Sequence, residues 1–576
     1  MPIAFRSRAR VTLAAQSLLI AAAAACASGK PNTSKTEANL VTGRGVYPRD
    51  YATLKPQTRA ERSGFTETSL HADVMMFLDS LQKMGAKITI TTMGTTSMGK
   101  PIPLVIASRP LVKTAGEAKR LNRPIVYIQG NIHGGEVEGK EAVLALLREL
   151  TMDKKPNVLD SIVLMVAPIY NADGNDKLGP QARNRREQNG PAMVGERANG
   201  QGLDLNRDYI KAEAPETRAS LAMFQLWDPD LLVDLHTTDG SYHGYALTYS
   251  PPLNPAAKVT GPFLRDTVLP AVKDLVKRRY NMDIFDYGNF EPNQAEPKSW
   301  NTYEDFPRYG TNYYGVRGRA AILSEAYSHD PFRARVAATY TFLWEVLNVV
   351  ASNPEDFVDG SRESDRRMTA WGNTPGTSPT IALRSVIASK RSQDVIIEDI
   401  ACTAGDTTIL EPGTRGGCKR QGKFRTVHLP VYDRFSPTRE RRLPYAWTFD
   451  ASQTGLVALL EAHGVFLEKL DEGTSLRSER FTVDSLVKGQ AFQKHTLMRL
   501  EGRWLEVSPN LAGGTIVVRA GQPLAALAQY ILDPESDDGA ATWNVLDASL
   551  TQGGTYPVTR VLEPIHAALT PLRPIR

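Results

Sequence analysis

The sequence predicts an α/β fold for its central part, a mainly parallel mixed sheet flanked by helices, followed by a β-rich C-terminal domain. Three observations carry that expectation. Short continuous apolar runs recur at Leu104-Val105-Ile106, Ile125-Val126-Tyr127-Ile128, Ile162-Val163-Leu164-Met165-Val166, Leu231-Leu232-Val233-Asp234-Leu235 and Ala320-Ala321-Ile322-Leu323-Ser324. Such runs suit strands covered on both faces, as in a parallel sheet. Helical patterns at 141–150, 215–226, 263–278 and 333–350 separate or follow them, which is the alternation of an α/β layer structure. Beyond about 360 the texture changes: Ser-, Thr- and Gly-rich segments separate short strand-like runs such as Val395-Ile396-Ile397 and Thr515-Ile516-Val517-Val518, with helices expected at 455–463 and 523–530.

Length supports the division. At 576 residues the chain is too long for a single compact core, so two domains are expected. A content of 41% hydrophobic and 23% charged residues is that of an ordinary globular protein. Of the net charge of +5, Arg6, Arg8 and Arg10 supply three units. The remainder is close to neutral, which argues against nucleic-acid binding.

In chain order, residues 1–27 read as an export signal. The three arginines form a basic region, Val11 to Ala25 is apolar but for Thr12, Gln16 and Ser17, and small residues surround Cys26. The stretch is short and Ala-rich for a membrane span. Two processing routes stay open. Ala25-Cys26-Ala27 fits cleavage after Ala27, whereas Ala23-Ala24-Ala25-Cys26 resembles a degenerate lipobox that would anchor the protein through a lipid at Cys26. Either route implies an exported protein: periplasmic, held at an outer membrane, or extracellular. Residues 28–69 are polar and rich in Thr, Ser, Pro and Arg, as a tether leading into an extended segment would be. Residues 70–355 carry the α/β pattern, beginning with a helix at 71–84 whose Val74, Phe77, Leu78 and Leu81 share one side. Residues 360–576 form the β-rich part, of unassigned role. It contains Cys402 and Cys418, which flank a Gly-rich loop. In an oxidising compartment they could bridge and stabilise it by roughly 3 kcal/mol.

The chemistry concentrates at strand ends, where α/β sheets place functional residues. His133-Gly134-Gly135-Glu136 lies between the run 125–128 and the helix after it. An imidazole and a carboxylate three residues apart on such a turn can point at one atom, and N and O donors at about 2 Å suit Zn²⁺. The glycines are expected to let the turn bend. A catalytic zinc wants three protein ligands and one open position. His236, at the end of the run 231–235, is the expected third, with His243 farther into the loop as its rival. Bound zinc lowers the pKa of water to about 7, and a carboxylate must then take the proton. Glu325, after the apolar run 320–324, is placed for that.

Together these features resemble the M14 family of zinc carboxypeptidases, with its carboxypeptidase A-like fold, over roughly residues 70–350. The resemblance rests on His133-Gly134-Gly135-Glu136, on Ala167-Pro168-Ile169-Tyr170-Asn171-Ala172-Asp173-Gly174 (Ala172 replacing the family's Pro), on Gly202-Leu203-Asp204-Leu205-Asn206-Arg207, and on Ala214-Pro215-Glu216-Thr217-Arg218. It implies one zinc per chain held by His133, Glu136 and His236, with Glu325 as general base. Arg207 with Asn206 would grip the C-terminal carboxylate of a peptide, because a guanidinium offers a planar fork of donors. Asp204 would fix the tautomer of a zinc-binding histidine, His133. Arg183, beside Arg185 and Arg186, resembles the arginine that stabilises the developing oxyanion. The family's capping tyrosine falls among Tyr303, Tyr309, Tyr313 and Tyr314, with Tyr313 preferred. The C-terminal region loosely resembles extensions on exported bacterial members.

The resulting expectation is an exported metallocarboxypeptidase acting on peptides with a free C-terminal carboxylate. A related zinc amidase acting on cell-wall peptides or N-acyl amino acids, and a non-catalytic peptide binder on the same fold, are the alternatives.

Overall fold

The computed structural model describes residues 47–48, 51–290, 296–388, 391–402 and 418–573. The expected signal segment, Cys26 and most of the tether lie outside them. What is described of the lead-in segment packs onto the body. Tyr47 is buried with its ring 5.7 Å from that of Phe65 and 5.5 Å from that of Tyr340. Glu61 meets Arg148 in a buried pair at 2.8 Å, so the described residues of the lead-in dock on the body.

Eight strands form the central sheet. Reading across it they are Ile88–Thr95, Pro101–Ala107, Val163–Ala167, Ile125–Gly130, Leu231–Thr237, Ala320–Ala326, Leu247–Ser250 and Ile284–Asp286. The middle four, from Val163–Ala167 to Ala320–Ala326, run parallel. Antiparallel pairing joins Pro101–Ala107 to its two neighbours and Leu247–Ser250 to Ala320–Ala326. All five apolar runs are strands; 104–106 is antiparallel, yet apolar because it too is covered on both faces.

Side chains alternate across a strand, and the packing follows that period. Val126, Ile128, Leu164, Val166, Leu231 and Val233 join one cluster with helices Glu138–Met152 and Phe332–Ser352. Ile125, Tyr127, Val163, Met165 and Leu232 join the other, with Leu221 and Phe224 of helix Pro215–Trp227. That second cluster continues without a break into Trp447, Leu456, Val518 and Leu527. One hydrophobic core therefore runs through both halves of the chain, and helix Pro354–Asn373 crosses the boundary expected near 355–360.

The C-terminal half is β-rich. An antiparallel seven-stranded sheet runs His495–Val507, Ser478–Phe492, Thr555–Val561, Ala446–Phe449, Ile516–Arg519, Glu468–Leu470 and Leu569–Pro571. Helices Thr454–His463 and Ala525–Leu532 lie close to their expected positions. A hairpin of Arg391–Cys402 and Cys418–Tyr432 adds to Trp300–Asn301. Cys402 and Cys418 are backbone partners in this ladder, but the side chains that would form the bridge lie outside the described residues. Among the described residues no helix is long and apolar enough to cross a membrane.

Candidate active site

The site begins where strand Ile125–Gly130 ends. Asn131, at φ 64°, turns the chain, and its Nδ2 donates to the carbonyls of His133, Gly134 and Glu136 at 3.0–3.3 Å. The two glycines serve close packing. A Cβ on Gly134 would lie 2.3 Å from the Gly174 backbone, and one on Gly135 would lie 2.7 Å from Arg185 and 2.8 Å from the Gly195 carbonyl. Neither has a positive φ, so backbone approach, not bending, requires them. Gly174 belongs to the turn in which Asn171 donates to Ile132 O and Arg197 O. The two sequence motifs are thus one packed unit.

His133 Nδ1 and His236 Nδ1 stand 3.3 Å apart. Each faces one oxygen of Glu136, at 2.9 Å and 3.0 Å. All three residues are buried and offer one donor atom each within 4.8 Å of the others. The far nitrogen of each ring faces a carboxylate: His133 Nε2 lies 3.1 Å from Asp204 and His236 Nε2 lies 3.0 Å from Asp234. Such partners keep the proton on Nε2 and turn the Nδ1 lone pair inward. Two lone pairs and a carboxylate this close repel one another unless a cation lies between them. Two nitrogens at 2.0–2.1 Å from one ion in tetrahedral geometry are about 3.3 Å apart, so the donor set fits zinc. Burial opposes the charge on Glu136, but the positive charge around it, from His133 when protonated and from Arg185, holds its carboxyl well below the usual range. Burial likewise opposes the imidazolium of His236, while Asp234 and Glu136 outweigh it and raise the pKa.

Glu325 is the register partner of His236 on the adjacent parallel strand. Both line a cleft of about 600 Å³, together with Arg197, Asn206, Arg207 and Tyr303. Burial pushes the Glu325 carboxyl well above the ordinary range; Glu136 and Asp239 add to this and His236 opposes it. Asn206 Oδ1 accepts from Gly310 N at 2.9 Å. The Arg207 guanidinium lies over the Tyr309 ring, 4.2 Å from its centroid. Burial opposes ionisation of Asp204, but His133 and Arg197 more than offset it and keep its carboxyl low.

Two expected residues lie elsewhere. Arg183 is exposed and bonds to its neighbour Asn184 at 3.0 Å. The arginine that enters the cleft beside Arg207 is Arg197, which holds Asp204 at 2.8 Å and approaches Glu136 at 3.5 Å. Arg185 is buried behind the cluster, bonded to Glu136 and to the carbonyls of Thr237 and Thr238. Tyr313 is fully buried in helix Gly310–Val316, its hydroxyl 2.8 Å from His463 Nδ1. The tyrosines that line the cleft are Tyr287, Tyr303 and Tyr309. His243, the rival ligand, is buried against Tyr327 and Trp300 outside the cluster. Asp234 is absent from the sequence motifs; its signal is that of a lone carboxylate two residues before a strand-end histidine, hence on the same face.

Residues 74–317 match the family model described as Zinc carboxypeptidase. The chain is similar to Carboxypeptidase 2 of Trichophyton tonsurans, 23% identical over 493 residues that cover 80% of this chain and 81% of that protein. It is similar to Carboxypeptidase 2 of Trichophyton rubrum, 23% identical over 491 residues, to the same extent. Alignments of that length run past the family-matched segment into the C-terminal half. Among solved structures, the metallo-carboxypeptidase from Burkholderia cenocepacia matches with a TM-score of 0.37 and 17% identity, over 50% of this chain and 70% of that one.

Proposed function

We propose, from the premise that residues 74–317 form a zinc carboxypeptidase-family segment and the chain is a metallocarboxypeptidase-type hydrolase, that the cleft releases C-terminal residues from peptides. The observation that carries this reading is the convergence of the His133–Glu136–His236 cluster, Glu325 and Arg207 on one cleft. Zinc held by the cluster would polarise the scissile carbonyl and lower the pKa of water in the site. Arg207 and Asn206 bind the terminal carboxylate, which sets the scissile bond at the chain end. Glu325 takes the proton of the attacking water and returns it to the leaving amine; its raised affinity for protons suits the second role. Arg197, rather than Arg183, donates to the oxyanion that develops on the carbonyl. Asp204 and Asp234 keep the histidine protons on Nε2. Tyr303 and Tyr309 replace Tyr313 as the candidates for closing over substrate.

Export is part of the proposal and rests on residues 1–27 alone; the intact mass of the mature protein reads it, including a lipid on Cys26. The activity is tested by mass-spectrometric digestion of a peptide library. Removal of one C-terminal residue at a time is expected, whereas internal cuts would sink the exopeptidase reading.

A further inference from the structure

The hairpin that joins strand Ser478–Phe492 to strand His495–Val507 turns on two residues, Gln493 at φ 49° and Lys494 at φ 66°. A two-residue turn with both φ positive favours Asn-Gly or Gly-Gly, because a Cβ is strained in the left-handed region. Retained strain of this kind points toward something the strained side chains do. Here they reach across to one loop. Gln493 Oε1 accepts from the backbone N–H of Asp204 at 2.9 Å. Lys494 Nζ donates to Gln201 O at 2.8 Å, and His495 Nε2 faces Glu213 at 2.8 Å. All three contacts land on residues 201–213, the segment that carries Asp204, Asn206 and Arg207.

Asp204 starts the tight turn that aims those residues. Its carboxylate accepts from Asn206 N at 2.9 Å, and its carbonyl accepts from Arg207 N at 3.0 Å. Fixing the N–H of Asp204 therefore fixes the first peptide of the anchor. The other wall is held from the same half of the chain. Arg308, next to the Tyr309 that covers Arg207, is buried, and its backbone N and Nε donate to Asp538 at 2.7 and 2.9 Å. Asp538 also accepts from Trp543, whose ring packs edge-on against His495.

We propose that Gln493 is a positioning residue for substrate binding: the C-terminal half docks its hairpin tip on the Asp204 turn and so holds Asn206 and Arg207 in place to grip the terminal carboxylate. The proposal rests on the reading of Arg207 as that anchor. It is tested in the full chain with Gln493→Gly, which removes the acceptor and relieves the strained φ together. A turn of purely structural importance would gain stability and keep its kinetics. Positioning predicts a Tm equal to or above wild type with KM raised about two- to tenfold, the range for loss of one hydrogen bond. Zinc content and kcat should stay near wild type. Gln493→Glu keeps an acceptor and should return KM toward wild type. An unchanged KM in Gln493→Gly, or a Gln493→Glu as impaired as Gln493→Gly, overturns the proposal. Arg207→Lys separates the two layers. An unchanged KM there removes the anchor reading itself, whereas a raised KM there with an unmoved Gln493→Gly removes only the role of the hairpin.

Discussion

Asp234→Asn isolates what the second carboxylate does for the His133–Glu136–His236 cluster proposed to hold zinc. Asp234 is fully buried on strand Leu231–Thr237, one oxygen 3.0 Å from His236 Nε2 and the other accepting from Gln129 Nε2 at 3.2 Å. Asparagine keeps the volume and removes the charge. It also sets an amide N–H₂ against one of two partners that are themselves N–H donors, so one contact is lost. His236 then has less to hold its proton on Nε2 and offers a weaker Nδ1 donor. Loss of such a partner costs about 10- to 100-fold in metal affinity, equivalent to about 1.4–2.7 kcal/mol. Competition titration with a chromophoric zinc chelator reads this directly. Asp228→Asn is the control: Asp228 is bonded to Arg319 at 3.0 and 2.8 Å, at the end of helix Pro215–Trp227 and away from the cluster. It should leave zinc affinity alone. A zinc affinity for Asp234→Asn within about twofold of wild type, in protein that stays folded, would refute the two-carboxylate account of the site, since even the weak end of the expected range is tenfold.

Other outcomes follow from the same geometry. Arg197→Ala should lower kcat by about 10²–10³, the usual cost of one oxyanion donor, while Arg183→Ala should stay within about twofold, as exposed substitutions generally do. Steady-state kinetics on one peptide series compares them. Tyr313→Phe should lose the bond to His463 and about 0.5–1.5 kcal/mol of stability in denaturant unfolding, with KM unmoved. Desolvation of the half-buried Asp537, with Asp538 and Asp305 nearby, raises its pKa from 3.8 to about 7. The folded state therefore binds that proton more tightly than the unfolded one. The associated stability is complete below about pH 4 and is lost as pH rises to about 7. Asp537→Asn should accordingly melt higher than wild type at pH 8 and lose that advantage by pH 4 in thermal scans.

What was legible in the sequence was local. The apolar runs became strands because a sheet covered on both faces needs continuous apolar chain, and the strand ends then put His133, Glu136, His236 and Glu325 within reach of one another. The choice among arginines was not local. Arg183 and Arg197 both sit in polar stretches of sequence, and only the packing of the 195–197 segment over Gly134 and Gly135 decides which enters the cleft. The choice among tyrosines turns on packing for a related reason. Helix Gly310–Val316 is buried all round, so Tyr313 faces His463 from the C-terminal half, a partner 150 residues away. The reach of Gln493 to Asp204 spans 289 residues and has no periodic or motif signature. Continuity of the core across the expected domain boundary was hidden because apolar periodicity in each half is satisfied equally by two cores or by one.

On the proposed reading, the cleft selects substrates by their terminal carboxylate. A comparison of kcat/KM for one peptide as the free acid and as its C-terminal amide, with zinc-loaded full-length protein, reads that selection. The acid should be preferred by about 10- to 150-fold, the range for hydrogen bonds to a charged group at Arg207 and Asn206, and Arg207→Ala should collapse the preference. Equal turnover of acid and amide by the wild type would contradict it.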